Sequence, residues 1–438
     1  MTSDLAPAIL VLNDRYLPQD STAAATVGAT SFALDVMRCL RDAGAFAGVL
    51  LYRRKEGLTE PVLRRERKEG VACQVLEFNF AMSEESVRGV VSEAVETIGA
   101  EFGATTPPML YFQTDTLLRY TPEGVPACVT HHGPFYEDFA HHFSPAAAAE
   151  AFGSAQNALH FRDQQQVNLA ELASRKDLFV IQHSRIQRTH LVERGVEEDR
   201  IREISPPVPV ARTPTPELPP ELDAFTSSGH FLLYTAAARL DYFKNLELLV
   251  DAGKLLMEAG LPAKVLVIGG SAEDETDRKE LLKDVPAKYA DRFLATARLP
   301  KEQLYGLFRS TRGRAVFVFP SRYETLGITP LEAAMHGATT TVPDSPCVEV
   351  ARFFPAELRF VPTAEGLAHT LQRLHTSDIR KEGELLRRAI SKQVSTALFS
   401  RGLLDAWRTF TAMASAKAAD LDAQLSAAYA KPPTTCGT

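Results

Sequence analysis

The chain has 438 residues, a formal net charge of −7 at neutral pH, 45% hydrophobic and 24% charged residues. That length suggests two or three domains of roughly 100–200 residues, each able to bury a core without disulfide or metal staples, and the mild acidity speaks against bulk nucleic-acid binding. The five cysteines (Cys39, Cys73, Cys128, Cys347 and Cys436) are scattered, odd in number and without CxxC spacing, which points to reduced thiols in a cytoplasmic protein.

The first residues, MTSDLAPAILVLNDRYLP, lack a basic region, and their apolar run is a strand's worth. No signal peptide is expected. No stretch approaches the ~20 apolar residues of a spanning helix, so a soluble or at most peripheral protein is expected. Strands are predicted at 8–13, 47–52, 73–78, 109–113, 127–131 and 177–183. Between them lie helical stretches ending at Gly44 and running from Ser83 to about Ile98. Short apolar runs alternating with helical periods indicate βαβ units on a parallel sheet. The charged run Arg53–Lys68 is interrupted by Glu56, Glu60 and Glu66. It reads as a solvated face, with an anionic acceptor or membrane contact as the alternative.

Residues 206–220 hold seven prolines, a composition that excludes a helix or central strand and makes a semi-rigid linker. Beyond it the pattern restarts, with strands at 231–237, 264–270, 293–298, 315–320 and 339–344. The expected division is a first domain over 1–208, a linker over 209–222 and a second domain over 223–395. A terminal helix at 396–415 would pack back, followed by a loose tail at 416–438. Two α/β halves leave a cleft between them, and ligands of open parallel sheets sit beyond the carboxyl ends of the strands.

Chemistry-bearing residues fall just after these strands. In ARLDYFKN (238–245), Arg239 and Lys244 combine a guanidinium fork with a flexible ammonium, a good clamp for a diphosphate. The bland alternative is two solvated charges, with Asp241 pairing one of them. In PSRYETLGITPLEAAMHG (320–337), Thr329-x-x-Glu332 has the form of a capping box, with Pro330 at the first helical position. That accounts for Glu332 but not for Glu324 or Gly327. A glycine loop entering a helix offers free N–H groups and a positive dipole end to a phosphate. Carboxylates beside it can accept hydrogen bonds from sugar hydroxyls.

The segment PSRYETLGITPLEAAMHGA resembles the P-S-x-x-E-x-x-G-x-x-x-x-E-A-x-x-x-G signature of the retaining glycosyltransferases of the GT-B fold. This is the glycosyl transferases group 1 family of sucrose and glycogen synthase relatives. Its two glutamates with seven residues between them (the E-x7-E motif) are matched by Glu324 and Glu332. ARLDYFKN resembles the family's G-R-L-x-x-x-K-N clamp at Arg239 and Lys244, and IQHSRIQRTHL its S-x6-L stretch. The resemblance is close over 230–345 and loose in the first half.

The resemblance implies two Rossmann-like parallel-sheet domains of GT-B type, an acceptor-binding first and a nucleotide-sugar-binding second. Arg239 and Lys244 would neutralise the donor diphosphate, Glu332 would hold the ribose, and Glu324 with amides near Leu326 and Gly327 would orient the sugar. Backbone near Arg298 would read the base, UDP or GDP being the expected type. CVTHHGP (128–134) resembles the family's T-x-H-G/D and places His132 against the donor sugar. A metal site from His131, His141, His142, Glu137 and Asp138 is the weaker alternative, because HH-x8-HH lacks zinc-motif spacing. Gly269-Gly270 match a family glycine turn or form a tight strand–helix connection. The first loop departs from the family, with Gly28 alone in TVGATS where relatives carry a glycine pair close to the donor phosphate, and the resemblance leaves Gly28 as the donor-binding position where backbone would approach that phosphate. No cofactor, metal or nucleic acid is expected. The alternatives are a sugar-nucleotide epimerase or a phosphorylase of the same architecture, the latter lacking a distinctive Schiff-base lysine, and a non-catalytic partner subunit that binds the donor.

Overall fold

The computed structural model describes residues 5–17, 28–68, 70–104, 106–210 and 217–429. The residues of the first loop before Gly28 (18–27) and of the proline segment (211–216) lie outside the described residues.

Strands β1 (Ala8–Asn13), β2 (Phe46–Arg54), β3 (Val62–Lys68), β4 (Val71–Phe78), β5 (Met109–Phe112), β6 (Ala127–Val129), β7 (Leu178–Gln182) and β8 (Ile201–Glu203) form one sheet. Their order is β3-β4-β2-β1-β5-β6-β7-β8, and only the β3–β4 pair is antiparallel. Strands β9 (Phe231–Ala237), β10 (Ala263–Gly269), β11 (Phe293–Thr296), β12 (Ala315–Val318), β13 (Thr339–Pro343) and β14 (Arg359–Phe360) form the second sheet, ordered β11-β10-β9-β12-β13-β14. All its pairings are parallel. Strands such as β1 (AILVLN) and β9 (FLLYTAA) are near-continuous apolar runs because helices cover both faces of a parallel sheet.

Strand β3, in the run expected to be a solvated face, is a difference from the sequence reading. Its residues VLRRERK join the edge of the sheet. Arg64 of β3 joins Arg53 of β2 and the following Lys55 in an ion-pair network on the buried Glu77, at 3.0, 3.1 and 3.2 Å. A buried carboxylate needs such partners.

The long C-terminal helix Thr396–Tyr429 extends past residue 415, where a loose tail was expected. It returns to the first half: Phe399, Leu403, Trp407 and Phe410 bury against the sheet beside Phe32 and Phe179. The Trp407 indole donates to the Ala6 carbonyl at 2.8 Å. The four described cysteines are buried and form no disulfide. No described helix is long and apolar enough to cross a membrane.

Candidate active site

In the second sheet the strand order reverses between β9 and β12, and a crevice opens beyond their carboxyl ends at such a switch point. Lys244 follows β9 and Glu324 follows β12, and here the structure brings them together: Lys244 Nζ lies 2.6 Å from Glu324 Oε2. Their side chains are 18% and 20% exposed, so they line a recess and not an open face. Both are held by backbone devices. Asn245, next to Lys244, takes the left-handed conformation (φ +50°), the only described non-glycine residue to do so. Its amide donates to the Pro320 carbonyl at 3.1 Å, tying the β9 loop to the end of β12. Glu324 is fixed at both main-chain groups, its N–H donating to Cys347 O at 2.9 Å and its carbonyl accepting from Glu349 N–H at 3.0 Å.

Gly327 (φ +85°) precedes the helix Ile328–Met335. A β-carbon there would come within 3.1 Å of Val350 and 3.3 Å of Glu324, so the loop needs glycine for both conformation and space. The expected capping box does not form. The helix starts at Ile328, Pro330 is its third residue, and no side chain caps it. The left-handed turn at Gly327 brings the helix start forward, which frees the Glu332 carboxyl and leaves first-turn N–H groups without a side-chain partner. Leu326 is buried beside them.

Glu332, 5% exposed, is instead bound from the neighbouring helix Lys301–Ser310. Tyr305 donates its hydroxyl hydrogen to Oε1 at 2.7 Å, and Lys301 Nζ lies 2.8 Å from the same oxygen. Burial, with the Glu332 charge, pushes the Tyr305 phenol well above its ordinary pKa, so it stays a donor. Lys301 also donates to Ser31 Oγ at 3.0 Å. Ser31 lies in the first turn of the first-half helix Gly28–Asp42, the helix that Gly28 opens.

Other residues singled out by sequence stand apart from this pair. Arg239 is 63% exposed, with Nε 3.0 Å from Asp241 Oδ2, the pairing of the bland alternative. Gly269 ends β10 and Gly270 takes φ +69°. A β-carbon on Gly269 would lie 2.7 Å from Leu240 of the Arg239 loop, so this turn is glycine because another loop packs on it. Arg298 N–H donates to Gly270 O at 3.0 Å, fixing the backbone after β11.

From the first half, the His132 main chain meets the Glu324 loop. The His132 Nε2 is 3.4 Å from Gln113 Oε1, and its ring meets Phe32 edge-on at 4.8 Å and His183 at 5.7 Å. Burial, then the neighbouring histidines, hold its pKa well below the usual value, so it is a neutral imidazole. Its carbonyl accepts from the Thr325 hydroxyl at 3.0 Å. Nearby, the Tyr323 hydroxyl donates to Asp138. Phe139 is buried against Phe243 and Tyr323, with ring centroids 5.6 Å from each. The histidine and acid set considered for metal is dispersed: His131 stacks on Phe135 at 4.2 Å and lies 3.5 Å from Asp115, whereas His141 and His142 are exposed. Among the described residues no group of His, Cys, Asp and Glu is arranged to hold a metal ion.

Sequence reading missed Asn245, Lys301, Tyr305, Thr325 and the Asp138–Tyr323 contact. Asn245 and Thr325 adjoin residues it named. Lys301 and Tyr305 reach Glu332 from a separate element, which no local spacing announces.

Residues 227–376 match the family described as glycosyl transferases group 1. A search of curated protein sequences returns no match. Among solved structures, HepE of Anabaena in complex with UDP and glucose is similar at 14% identity and a TM-score of 0.62, over 91% of this chain and 98% of that one. Sucrose-phosphate synthase of Thermosynechococcus elongatus is similar at 18% identity and 0.59, over 96% and 100%. The α,α-trehalose 6-phosphate synthase of Burkholderia multivorans follows at 14% and 0.60, over 95% and 100%. The fold is GT-B, with both halves of these chains covered.

Proposed function

We propose that this protein is a retaining glycosyltransferase that moves a sugar from a nucleoside diphosphate donor to a polar small-molecule or glycan acceptor, without a metal. The observation that carries the reading is the Lys244–Glu324 pair, 2.6 Å apart at the β9/β12 switch point and beside a helix start without a side-chain cap at Gly327. The group 1 match over 227–376 includes both residues. HepE was solved with UDP, which favours a donor of UDP type.

In this reading Lys244 and the N-terminal amides of the Gly327 helix neutralise the diphosphate and the charge that grows as the glycosidic bond breaks. Arg239 joins them by turning from Asp241. Glu324 accepts hydrogen bonds from the sugar, His132 meets it from the first half as a neutral imidazole, and Glu332 holds the ribose. The acceptor oxygen attacks the anomeric carbon on the face the phosphate leaves, the bond from that carbon to the β-phosphate oxygen breaks, and the departing phosphate takes the acceptor proton. That path keeps the configuration and asks for clamps and orienters, not for the two flanking acids of a glycosidase. Cations and amides supply the countercharge that a metal would otherwise give.

A thermal-shift screen with UDP, GDP, ADP and TDP and their common sugars tests the donor. One nucleotide series should shift the melting temperature, and Lys244→Ala should abolish the shift. Silence with every nucleotide would overturn the reading: the donor cleft would be degenerate or need a partner subunit, and a non-catalytic role would come to the front. With an acceptor in hand, NMR of the new linkage must show the donor's anomeric configuration.

A further inference from the structure

Lys301 occupies an unusual place. It is the first residue of the helix Lys301–Ser310, where the dipole is positive and a lysine is locally unfavourable. Its ammonium lies 2.8 Å from Glu332 Oε1 and 3.0 Å from Ser31 Oγ. Thus one side chain joins a buried carboxylate of the second half to the first turn of the Gly28–Asp42 helix in the first. Asp35, one turn beyond Ser31, senses the same charge. Burial raises its pKa, the charges of Arg38 and Lys301 act to lower it, and Glu332 acts to raise it. The gain that offsets this unfavourable start lies outside the helix, in the buried Glu332 and in Ser31, and departures from local rules are expected at functional or strained sites.

We propose that Lys301 is a positioning residue for the nucleoside end of the donor, holding Glu332 in register and coupling its occupancy to the meeting of the two halves. The proposal rests on the reading of Glu332 as the ribose contact and adds to it a residue outside both glutamates. Tyr305 and Lys301 both bind Oε1, which directs Oε2 towards a ligand hydroxyl. Lys301 also offsets the Glu332 charge, which would otherwise repel a bound diphosphate. Through Ser31 the same ammonium closes the halves over the nucleoside, so that cross-half bond is made where the ligand is held.

Isothermal titration tests this with UDP, GDP, ADP and inorganic pyrophosphate on the wild type, Lys301→Met, Lys301→Arg and Ser31→Ala. Lys301→Met should weaken the preferred nucleoside diphosphate by about 10- to 100-fold and leave pyrophosphate, which the Lys244 side of the crevice takes, unchanged. It should also erase the preference of the wild type for that nucleotide over its 2′-deoxy form. Lys301→Arg should restore most of the affinity, and Ser31→Ala, which removes only the cross-half bond, should cost about 5-fold. Wild-type affinity in Lys301→Met, or equal loss of nucleotide and pyrophosphate, overturns this inference alone. Failure of the wild type to bind any nucleotide overturns the proposed function and this inference with it. If Lys301→Met does not fold, unchanged nucleotide affinity in Ser31→Ala rejects the coupling.

Discussion

Thr325 in the second half donates its hydroxyl hydrogen to the main-chain carbonyl of His132 in the first, across 3.0 Å. The residue before it is Glu324, whose carboxylate holds Lys244 at 2.6 Å. This hydrogen bond ties the His132 main chain to the loop that carries the charged pair. Thr325→Val keeps the shape and deletes the bond, at a stability cost of about 1 kcal/mol. Turnover should fall by about 10-fold, because an ångström of misplacement is expensive for a positioned group. Steady-state kinetics beside a melting curve read both. An unchanged kcat would mean that His132 is placed by the first half alone.

Lys244→Ala and Glu324→Gln should each cut kcat by about 100-fold or more, the scale of removing one preorganised group from a developing charge. Neither should alter the circular dichroism spectrum, because both side chains lie in the recess and not in a hydrophobic core. A near-normal rate in either would sink the assignment of that residue.

The left-handed Asn245 gives a backbone test. Asn245→Ala loses the amide bond to Pro320 and keeps a β-carbon at φ +50°. Asn245→Gly loses the same bond and the β-carbon with it. The alanine variant should be less stable than the glycine variant by about 1 kcal/mol, the cost of the left-handed region for an L side chain. Urea titrations of the two, compared with each other, isolate that difference. Equal stabilities would show that the turn relaxes.

Much of this architecture is legible because buried parallel strands write themselves as apolar runs. The run 231–237 is β9 to the residue, and 8–13 is β1. Strand β3 is hidden by its function at an edge, where VLRRERK spends its charges on Glu77 and neighbours and so mimics a solvated loop. Strands β8 and β14, of three and two residues, are too short to carry a pattern. Within the site, Lys244, Glu324 and Glu332 stand out through local spacing. Thr329-x-x-Glu332 misleads because Gly327 starts the helix early and turns Glu332 to Tyr305 and Lys301. The contacts that join the halves depend on which loops face each other, and no window of sequence contains both partners.

Phe139 is fully buried among Phe143, Phe152, Tyr242, Phe243 and Tyr323. Three of these neighbours belong to the second half, two of them in the Lys244 loop. Phe139→Ala should cost about 3–5 kcal/mol of the packing it makes, and much of that loss falls on the contact between the halves. Limited proteolysis should show faster cleavage, and small-angle scattering a larger radius, than in the wild type. A compact variant with wild-type protease resistance would mean that other contacts hold the halves together.

Two buried histidines of the first half, His183 and His132, set a pH dependence with a definite sign. Burial, helped by the Arg352 charge, holds the His183 pKa at about 4 instead of 6.5. Between those values the unfolded chain carries a proton that the native protein refuses, so stability falls as the pH drops through that window. Above pH 6.5 the group has no effect. The full excursion is worth about 3 kcal/mol, and His132, lowered by burial and neighbouring histidines, adds in the same direction. Glu349 has the opposite sign, since burial raises its carboxyl. Asp115 acts only further into acid, its pKa lying below 3.8. The measurement is therefore a comparison of urea stabilities at pH 7.5, 6, 5 and 4.5 for the wild type and His183→Gln. The variant should lose less stability towards pH 4.5. Parallel curves would show that His183 takes up its proton in the native state as readily as in the unfolded chain.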